Sequence, residues 1–574
     1  MTLVSALHTT EPGGKPGLRD WRELMKPERL AAMQPSRLSG TRAFMNKMIR
    51  ERWDISVERF DVDADAAGTI VYSIKAPLQE FCFIAFSFPP KPEGRTGRII
   101  GRSWDMMGTL NEGPATEAQI EEARAQLPKL YRGRASTNAL VWCRSNRSMR
   151  AFSATLEALA EGRQPEIEDL NAACYLMRNT GLDGNGTFGT RPFPSLGPDH
   201  ALGGVLEAQL LLAYLMRELA CDLVEHLARL RSEMAVKLDP ALRRFLGVGN
   251  GSALGLIFFV QKHPRLMNAW ITARETAIAA ALGLKLQRGD PRTLDLIGLI
   301  RRVAVFRNED RMMYETFASS ETVAREVASL VPLLEELHAE GRVRGDAADY
   351  PLDAIARLAE SSLAPESYET FLSLLIELVP ETADRLIAGV EGADELAVDP
   401  LMTVGEMAAL LDADYSWALE TDMSAPDAQA YVWYKSETAE EPRRGLRAEI
   451  PEAVDLGLDL PGDLQALRAD LATGEAGTPM ARFLLAHPQH RLMVARAQSL
   501  AGTHFHTPLA NINSGDFVPI DLVRLMNVAF HGIDKTRDYL QRNLRGVLYH
   551  GAPTREDIRS GEGLRWFYPE EPKA

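Results

Sequence analysis

Cysteine is scarce in this sequence. The chain has 574 residues and four cysteines, which lie far apart and form no C-x-x-C pair. This spacing argues against both a disulfide framework and a zinc ribbon. Each cysteine also lies in an apolar stretch, so we predict small buried thiols rather than nucleophiles. The four are Cys82, Cys143, Cys174 and Cys221.

Long apolar runs and excess basic charge are missing as well. The longest apolar runs, "LGLIFFV" and "LLLAYL", are far shorter than the roughly 20 residues that cross a bilayer, and the N-terminus lacks the pattern of a signal peptide. Lys and Arg number 64 against 79 Asp and Glu, a formal net charge of −15. A general nucleic-acid binder needs a dense basic surface. We therefore predict a cytoplasmic protein with neither a membrane nor a nucleic acid as partner.

Several motifs that would name a reaction are absent. The sequence contains no G-x-S-x-G or S-x-x-K nucleophile motif and no phosphate-binding loop of the G-x-x-x-x-G-K-[ST] type. The spacing of the dinucleotide-binding fingerprint, G-x-G-x-x-G, is not met either. No known family is indicated by the residues alone.

The composition is that of a globular protein, with 45% hydrophobic and 25% charged residues. We predict a mainly α (α+β) fold: a large helical body, a small antiparallel β-sheet near the N-terminus and a second β-containing patch around 428–450. "TIVYSIKA", "FCFIAFSF" and "GRIIGRSW" predict strands. The predicted divisions are an N-terminal arm (1–40), a small β-rich subdomain (41–113), a helical core (114–345), a helical segment (346–425) and a C-terminal α+β segment (426–574).

The predicted helical core contains the most apolar stretches of the sequence. Apolar spacing of three and four predicts helices in "TEAQIEEARAQL", "SMRAFSATLEALAEG" and "EIEDLNAACYLMRN". The stretch 201–238 predicts a long central helix that is buried on nearly every side near its start. The apolar density of 201–230 and 253–282 suits either an internal core or a subunit interface, and we expect a homodimer.

Gly-Asn-Gly followed by a hydroxyl residue occurs twice, in "RNTGLDGNGTFGTRPF" and in "FLGVGNGSALGLIFF". We place both GNG segments between helices, so that backbone N–H groups ahead of a helix could hold an anion. Planar Arg forks and amides suit a carboxylate or phosphate. The alternative is that the glycines serve only turns and helix ends. The predicted binding residues are Arg178, Asn179, Thr180, Asn185, Asn250, Ser252 and, nearer the C-terminus, Asn513.

The C-terminal segment "GTHFHTPLANINSGDF" supplies the candidate catalytic groups. In an extended segment His504 and His506 would point to one face, as in many metal sites, and Asp516 could add a ligand. One histidine could instead act as a general base. We predict His504, His506 and Asp516 as catalytic residues and the two histidines as candidate ligands of a divalent metal. The alternative is a solvated polar surface.

These features favour an enzyme that acts on a small anionic metabolite. Without a nucleophile motif, proton-transfer chemistry is favoured, which means elimination, isomerisation or hydration of the lyase and isomerase classes. Two alternatives stay open. One is a helical scaffold or regulatory protein, in which the GNG segments serve only as turns between helices. The other is a flavin-type oxidoreductase with a cofactor site that leaves no sequence motif.

Overall fold

A computed structural model describes most of the chain. The described residues are 16–24, 26–90, 104–130, 139–171, 173–179, 196, 199–204, 206–250, 264–309, 318–343, 350–390, 396–425, 434–435, 443–444, 460–511, 524–525, 527–531 and 546–561.

A curled, mixed sheet of eight strands organises the N-terminal half. Its strands lie in the order β1-β2-β3-β4-β5-β6-β7-β10. All neighbours pair antiparallel except β6 and β7, which are parallel. The strands are β1 Asp54–Val62, β2 Gly68–Lys75, β3 Glu80–Ser87, β4 Met106–Glu112, β5 Val141–Arg147, β6 Tyr175–Asn179, β7 Gly247–Asn250 and β10 Gly546–Leu548. A separate antiparallel pair consists of β8 Tyr434–Lys435 and β9 Arg443–Arg444.

The predicted fold class is therefore wrong about the sheet. Helices do dominate the chain, at 59%, but the sheet is neither small nor confined to residues near the N-terminus. The strands β6, β7 and β10 have five, four and three residues. Strands this short show no alternation in the sequence, and their pairing with distant strands decides their conformation. The pair β8 and β9 does lie inside the second predicted β-containing patch.

Helices cover both faces of the sheet. The helices near it are α3 Gly40–Glu51, α4 Glu117–Leu130, α5 Met149–Ala160, α6 Ile167–Asn171, α7 Glu207–Arg231 and α8 Pro240–Phe245. In β3, Phe81, Phe83 and Ala85 join the core that contains α7, while Cys82, Ile84 and Phe86 join the smaller core that contains α4. The strand is buried on both faces for this reason.

The predicted central helix is confirmed as α7, although it begins only at Glu207 and ends at Arg231, seven residues before the predicted end at 238. Most of its 25 residues are buried, and it packs against α5 and the strands β5 to β7. The adjoining "EIEDLNAACYLMRN" is not one helix, however. It forms α6, which ends at Asn171, and then β6. Cys174 lies between them in the left-handed region, with φ of 56°.

Two further cores are helical. One contains α9 Pro264–Leu282, α10 Pro291–Glu309, α11 Ser320–Ala328, α12 Val331–Glu340, α13 Pro351–Ser362, α14 Pro365–Leu375 and α15 Pro380–Val390. The other contains α16 Val404–Asp414, α17 Ser416–Leu419, α18 Leu460–Leu471, α19 Met480–Ala486, α20 Arg491–Leu500 and the end of α21 His506–Ala510. The remaining short helices are α1 Trp21–Leu24, α2 Pro27–Ala32 and α22 Arg555–Ser560.

Asp222 of α7 attaches the C-terminal segment to the sheet. Its carboxylate accepts hydrogen bonds from Tyr72 of β2 at 2.5 Å, Arg243 of α8 at 2.8 Å and Arg555 of α22 at 2.6 Å. Arg217, also on α7, donates to the carbonyl oxygens of Ala552 and Pro553 at 2.8 and 3.0 Å. These buried, charge-assisted bonds fix the segment that contains β10 beside β7.

A second buried ion-pair cluster attaches the segment before α1 to the helices. The Arg19 guanidinium donates to Glu275 of α9 with two bonds of 2.7 Å and to Glu369 of α14 at 2.5 Å. Arg274 donates to the same two carboxylates at 3.1 and 2.8 Å. Two guanidinium groups therefore balance two carboxylates in a place with almost no exposure to solvent.

None of the helices within the described ranges is both long and apolar enough to cross a membrane.

Candidate functional site

The two GNG segments begin side by side. The parallel strands β6 and β7 pair so that Arg178 lies opposite Gly249 and Asn179 opposite Asn250. The first Gly-Asn-Gly triplet, at 184–186, lies outside the described residues, as do all of 180–195 and 251–263. The second triplet begins inside β7 with Gly249 and Asn250. Our placement of both segments between helices is thus wrong, because the first begins in β6 and the second contains β7. The carboxyl ends of adjacent parallel strands are where open α/β sheets bind ligands.

A row of polar residues crosses the sheet at these strand ends. Ser87, Ser145, Asn179 and Asn250 follow one another in register on β3, β5, β6 and β7, with Met106 of β4 between the two serines. The Ser145 hydroxyl lies 3.4 Å from Oδ1 of Asn179, which is 1% exposed. Residues in register share a face of the sheet. Ser145 and Asn179 thus bring a hydroxyl and an amide to a face of the sheet that also carries the buried Arg147, whose guanidinium donates to the Ser87 hydroxyl at 2.9 Å.

Arg178 adds the charge at this position. It lies between Asn146 of β5 and Gly249 of β7, on the opposite face from Asn179. It is half-buried. The Asn146 side chain is fixed by the Asp105 N–H, which donates to its Oδ1 at 3.0 Å. A partly exposed guanidinium on a strand end can bind a carboxylate or phosphate through two parallel hydrogen bonds.

Close packing explains why two positions of "GVGNG" are glycine. A Cβ on Gly247 would lie 2.5 Å from the carbonyl oxygen of Leu548 on β10, and a Cβ on Gly249 would lie 2.7 Å from the ring of Tyr175. Both residues are in an extended strand, so neither serves a left-handed turn. Close packing of β10 and of the Tyr175 ring requires these glycines, whatever the segment that follows them does.

The N-terminus of α7 is occupied by the protein's own carboxylate. Glu207, the first residue of α7, is buried and accepts from the Gly204 N–H at 3.3 Å and from Lys47 Nζ at 2.8 and 2.9 Å. A helix N-terminus attracts anions, but here Glu207 already takes that place.

The two histidines of the C-terminal segment do not form the extended pair that we predicted. Residues 501–505 form turns, and His506 begins α21. His504 is exposed, with its ring edge-on to Phe505 at 4.4 Å. His506 has Nδ1 2.9 Å from the Thr503 carbonyl oxygen and Nε2 3.6 Å from Oδ2 of Asp414. The alternation that would place both rings on one face is therefore absent.

This segment nevertheless contacts the helix that follows the second GNG segment. The Phe505 N–H donates to Oδ1 of Asn268 at 3.0 Å, in the second turn of α9. The other predicted site residues lie outside the described residues and stay predictions: Thr180, Asn185, Ser252, Asn513 and Asp516.

The sequence analysis missed a cluster of ligating groups. Asp470 Oδ2, at the end of α18, lies 2.7 Å from His490 Nε2 and 3.2 Å from His487 Nδ1. The hydrogen bond with His490 lowers the pKa of the Asp470 carboxyl. Among the described residues this is the one group of three such side chains close enough to share a metal ion. The pattern His-Pro-Gln-His at 487–490 could have indicated it.

The cysteines are buried, as predicted, and free of disulfides. Burial raises the pKa of Cys82, Cys143 and Cys221 to about 12. At neutral pH these thiols stay protonated, so they are poor nucleophiles.

Comparisons of the chain with protein-family models, with curated proteins and with solved structures found no match. The site must therefore be interpreted from its own residues.

Proposed function

We propose that the protein is an enzyme that binds a small carboxylate or phosphate at the carboxyl ends of β6 and β7 and acts on it by proton transfer. One observation carries the binding part: the parallel pairing puts Arg178, Asn179 and the starts of both GNG segments next to one another. Arg178 and Asn179 of the first segment are thereby adjacent to Gly249 and Asn250 of the second, although they are 71 residues apart in the chain.

The chemistry of these residues favours an anion as ligand. Arg178 supplies a permanent positive charge, and the glycine-rich segments can offer backbone N–H donors without side-chain obstruction. Ser145 and Asn179 face the other side of the sheet, so among the described residues it is the charge of Arg178 that favours an anion. A small carboxylate or phosphate suits that charge.

The proton-transfer part rests on His504. It is exposed, and its neighbour Phe505 is bonded to α9, whose first residue follows the second GNG segment. His506 is less suited to act as a base, because its Nδ1 is engaged with a backbone carbonyl oxygen and its Nε2 faces Asp414. A lyase or isomerase would use such a histidine as general acid or base.

Calorimetric titration of the full chain with inorganic phosphate and with malonate tests the binding. We expect one saturable site per chain for at least one of these probes. Arg178→Gln should weaken it roughly 10- to 150-fold, because a charge-assisted hydrogen bond contributes about 1.5–3 kcal/mol. The control is Arg59→Gln, which removes a half-buried arginine from β1 at the opposite edge of the sheet. Equal binding by both variants, or none by the wild type, would refute the proposed site.

Deuterium incorporation from D₂O into a panel of small carboxylic acids, followed by NMR, tests the catalysis. The wild type should exchange a carbon-bound hydrogen of at least one acid, and His504→Gln should lose this exchange while its affinity for the anion is unchanged. If the protein binds an anion but exchanges no hydrogen in any acid of the panel, the catalytic part of the proposal is refuted and only the binding part stands.

We also propose a cytoplasmic location, which is supported by the four buried free thiols. The homodimer stays a prediction, and one of the observations that favoured it no longer does so. The apolar residues of α7 that suggested an interface are already buried within one chain.

A further inference from the structure

We propose that Asp470, His487 and His490 bind one divalent transition-metal ion. We call these three side chains the Asp–His–His cluster. It lies among the helices α18 to α20, and its residues are other than those of the proposed anion site, so the two proposals stand or fall separately.

Local backbone geometry aims both imidazoles at one point. His487 ends α19, and Pro488–His490 form a single 3₁₀ turn in which the His490 N–H donates to the His487 carbonyl oxygen at 3.2 Å. Side chains three residues apart lie above one another in a 3₁₀ turn. The two rings are accordingly nearly parallel, at 28°, with centroids 6.1 Å apart.

The surrounding core holds this arrangement in place. The ring of Phe483, from α19, stacks on His487 at 4.7 Å and faces His490 at 6.1 Å. Phe483 is buried with Leu467 and Leu471 of α18, the helix that carries Asp470. The positions of the carboxylate and of both imidazoles therefore depend on packing between helices rather than on a loose surface contact.

The distances fit a metal ion with small adjustments. The three ligand atoms lie within 4.8 Å of one another, and Asp470 Oδ2 is 2.7 Å from His490 and 3.2 Å from His487. In a tetrahedral site with bonds of about 2.0–2.2 Å, ligand atoms are roughly 3.3–3.6 Å apart. The two carboxylate–imidazole distances would therefore have to lengthen by about 0.1–0.9 Å, which side-chain rotations can provide.

The donor set selects the class of ion. Two imidazole nitrogens and one carboxylate oxygen suit Zn²⁺ and its first-row neighbours, whereas Mg²⁺ and Ca²⁺ take oxygen ligands. The Asp470 and His487 side chains are 36% and 30% exposed, but His490 is 6% exposed. The ion would thus be anchored from the protein side by His490 and would keep coordination positions open toward solvent for water or another ligand.

Metal titration of the full chain, produced without a polyhistidine tag and freed of metal by a chelator, tests this proposal. Co²⁺ is followed by its visible absorption and Zn²⁺ by competition with Co²⁺. We expect one ion per wild-type chain, and weakening of at least about tenfold in Asp470→Asn, His487→Gln and His490→Gln, because loss of a ligand should cost at least as much as loss of its hydrogen-bonded support.

The control is a variant with His504→Gln and His506→Gln, which changes the two histidines that the sequence indicated as ligands. It should bind like the wild type. Since His487 is partly exposed, His487→Gln should fold normally, and Zn²⁺ should raise the Tm of the wild type but not of this variant. The absence of saturable binding, equal affinity in the cluster variants, or a loss confined to the control would each overturn the proposal.

Discussion

Alanine at Gly247, Gly249 and Gly298 should have effects of different sign on the free energy of unfolding. Gly298 lies inside α10, and a Cβ there meets nothing within 4 Å. Gly298→Ala should therefore stabilise by about 0.5–1 kcal/mol, because glycine loses more backbone entropy on folding. At Gly247 and Gly249 of β7, by contrast, the Cβ added by the same substitution would lie too close to neighbouring atoms.

Gly249→Ala should destabilise by about 1–3 kcal/mol, the usual cost of overpacking. Its Cβ would lie within 2.7–2.9 Å of three atoms of the Tyr175 ring, and Tyr175 is 5% exposed. The ring must move into a packed core with Phe245 and Val547. Gly247→Ala should cost more, because its Cβ meets backbone atoms of β10, at 2.5 Å from Leu548, and backbone cannot rotate away.

Urea denaturation followed by tryptophan fluorescence measures these differences, with midpoints compared at equal m. A double variant adds a check on the mechanism. If the Cβ and the ring meet, Gly249→Ala combined with Tyr175→Leu should cost less than the sum of the two single variants. The reasoning fails if the costs simply add, or if Gly249→Ala stabilises as Gly298→Ala does. In that case the glycine would not be explained by packing.

Two further predictions concern burial. Arg19→Met leaves Glu275 and Glu369 facing Arg274 alone, so urea denaturation should show that the free energy of unfolding falls by about 3–5 kcal/mol. The control, Arg301→Met, breaks an exposed ion pair and should lower it by only about 0–1 kcal/mol. Similar losses in the two variants would contradict this prediction. Burial alone would raise the pKa of Glu369, but Arg19 and Arg274 hold it at about 2. This part of the stability is present above the ordinary carboxyl pKa of 4.5 and is lost as the pH falls toward 2. Iodoacetamide at about pH 8 should modify the buried thiols only in urea, as mass spectrometry can show, and rapid labelling of the native chain would refute their burial. These thiols are Cys82, Cys143, Cys174 and Cys221.

Helices and buried thiols could be predicted because their causes are local. Apolar residues at a spacing of three and four identified α4, α5 and α7. Asp239 and Pro240 form the cap and first residue of α8, as their residue types favour. The strands β2 and β3 are long and rich in branched and aromatic residues, so they too were visible in the sequence.

The candidate site was visible in the sequence only as residue types. The repeated Gly-Asn-Gly triplet, Arg178 and Asn179 could be singled out, but the strand they belong to could not, because "CYLMRN" has helical spacing. The Asp–His–His cluster was hidden for another reason. Asp470 and His490 are 20 residues apart, and their proximity depends on how α18 and α19 pack.

Local chemistry therefore settled most of the helices and the burial of the thiols, but not the strand β6, which has helical spacing. The side-by-side start of the two GNG segments was decided by the tertiary structure. It requires β6 and β7, of five and four residues, to pair in parallel. That pairing depends on Tyr175 covering Gly249, on β10 lying against Gly247 and on Asp222 binding Arg555. These contacts join residues far apart in the chain, and strands too short to be stable alone form only when all of them are made.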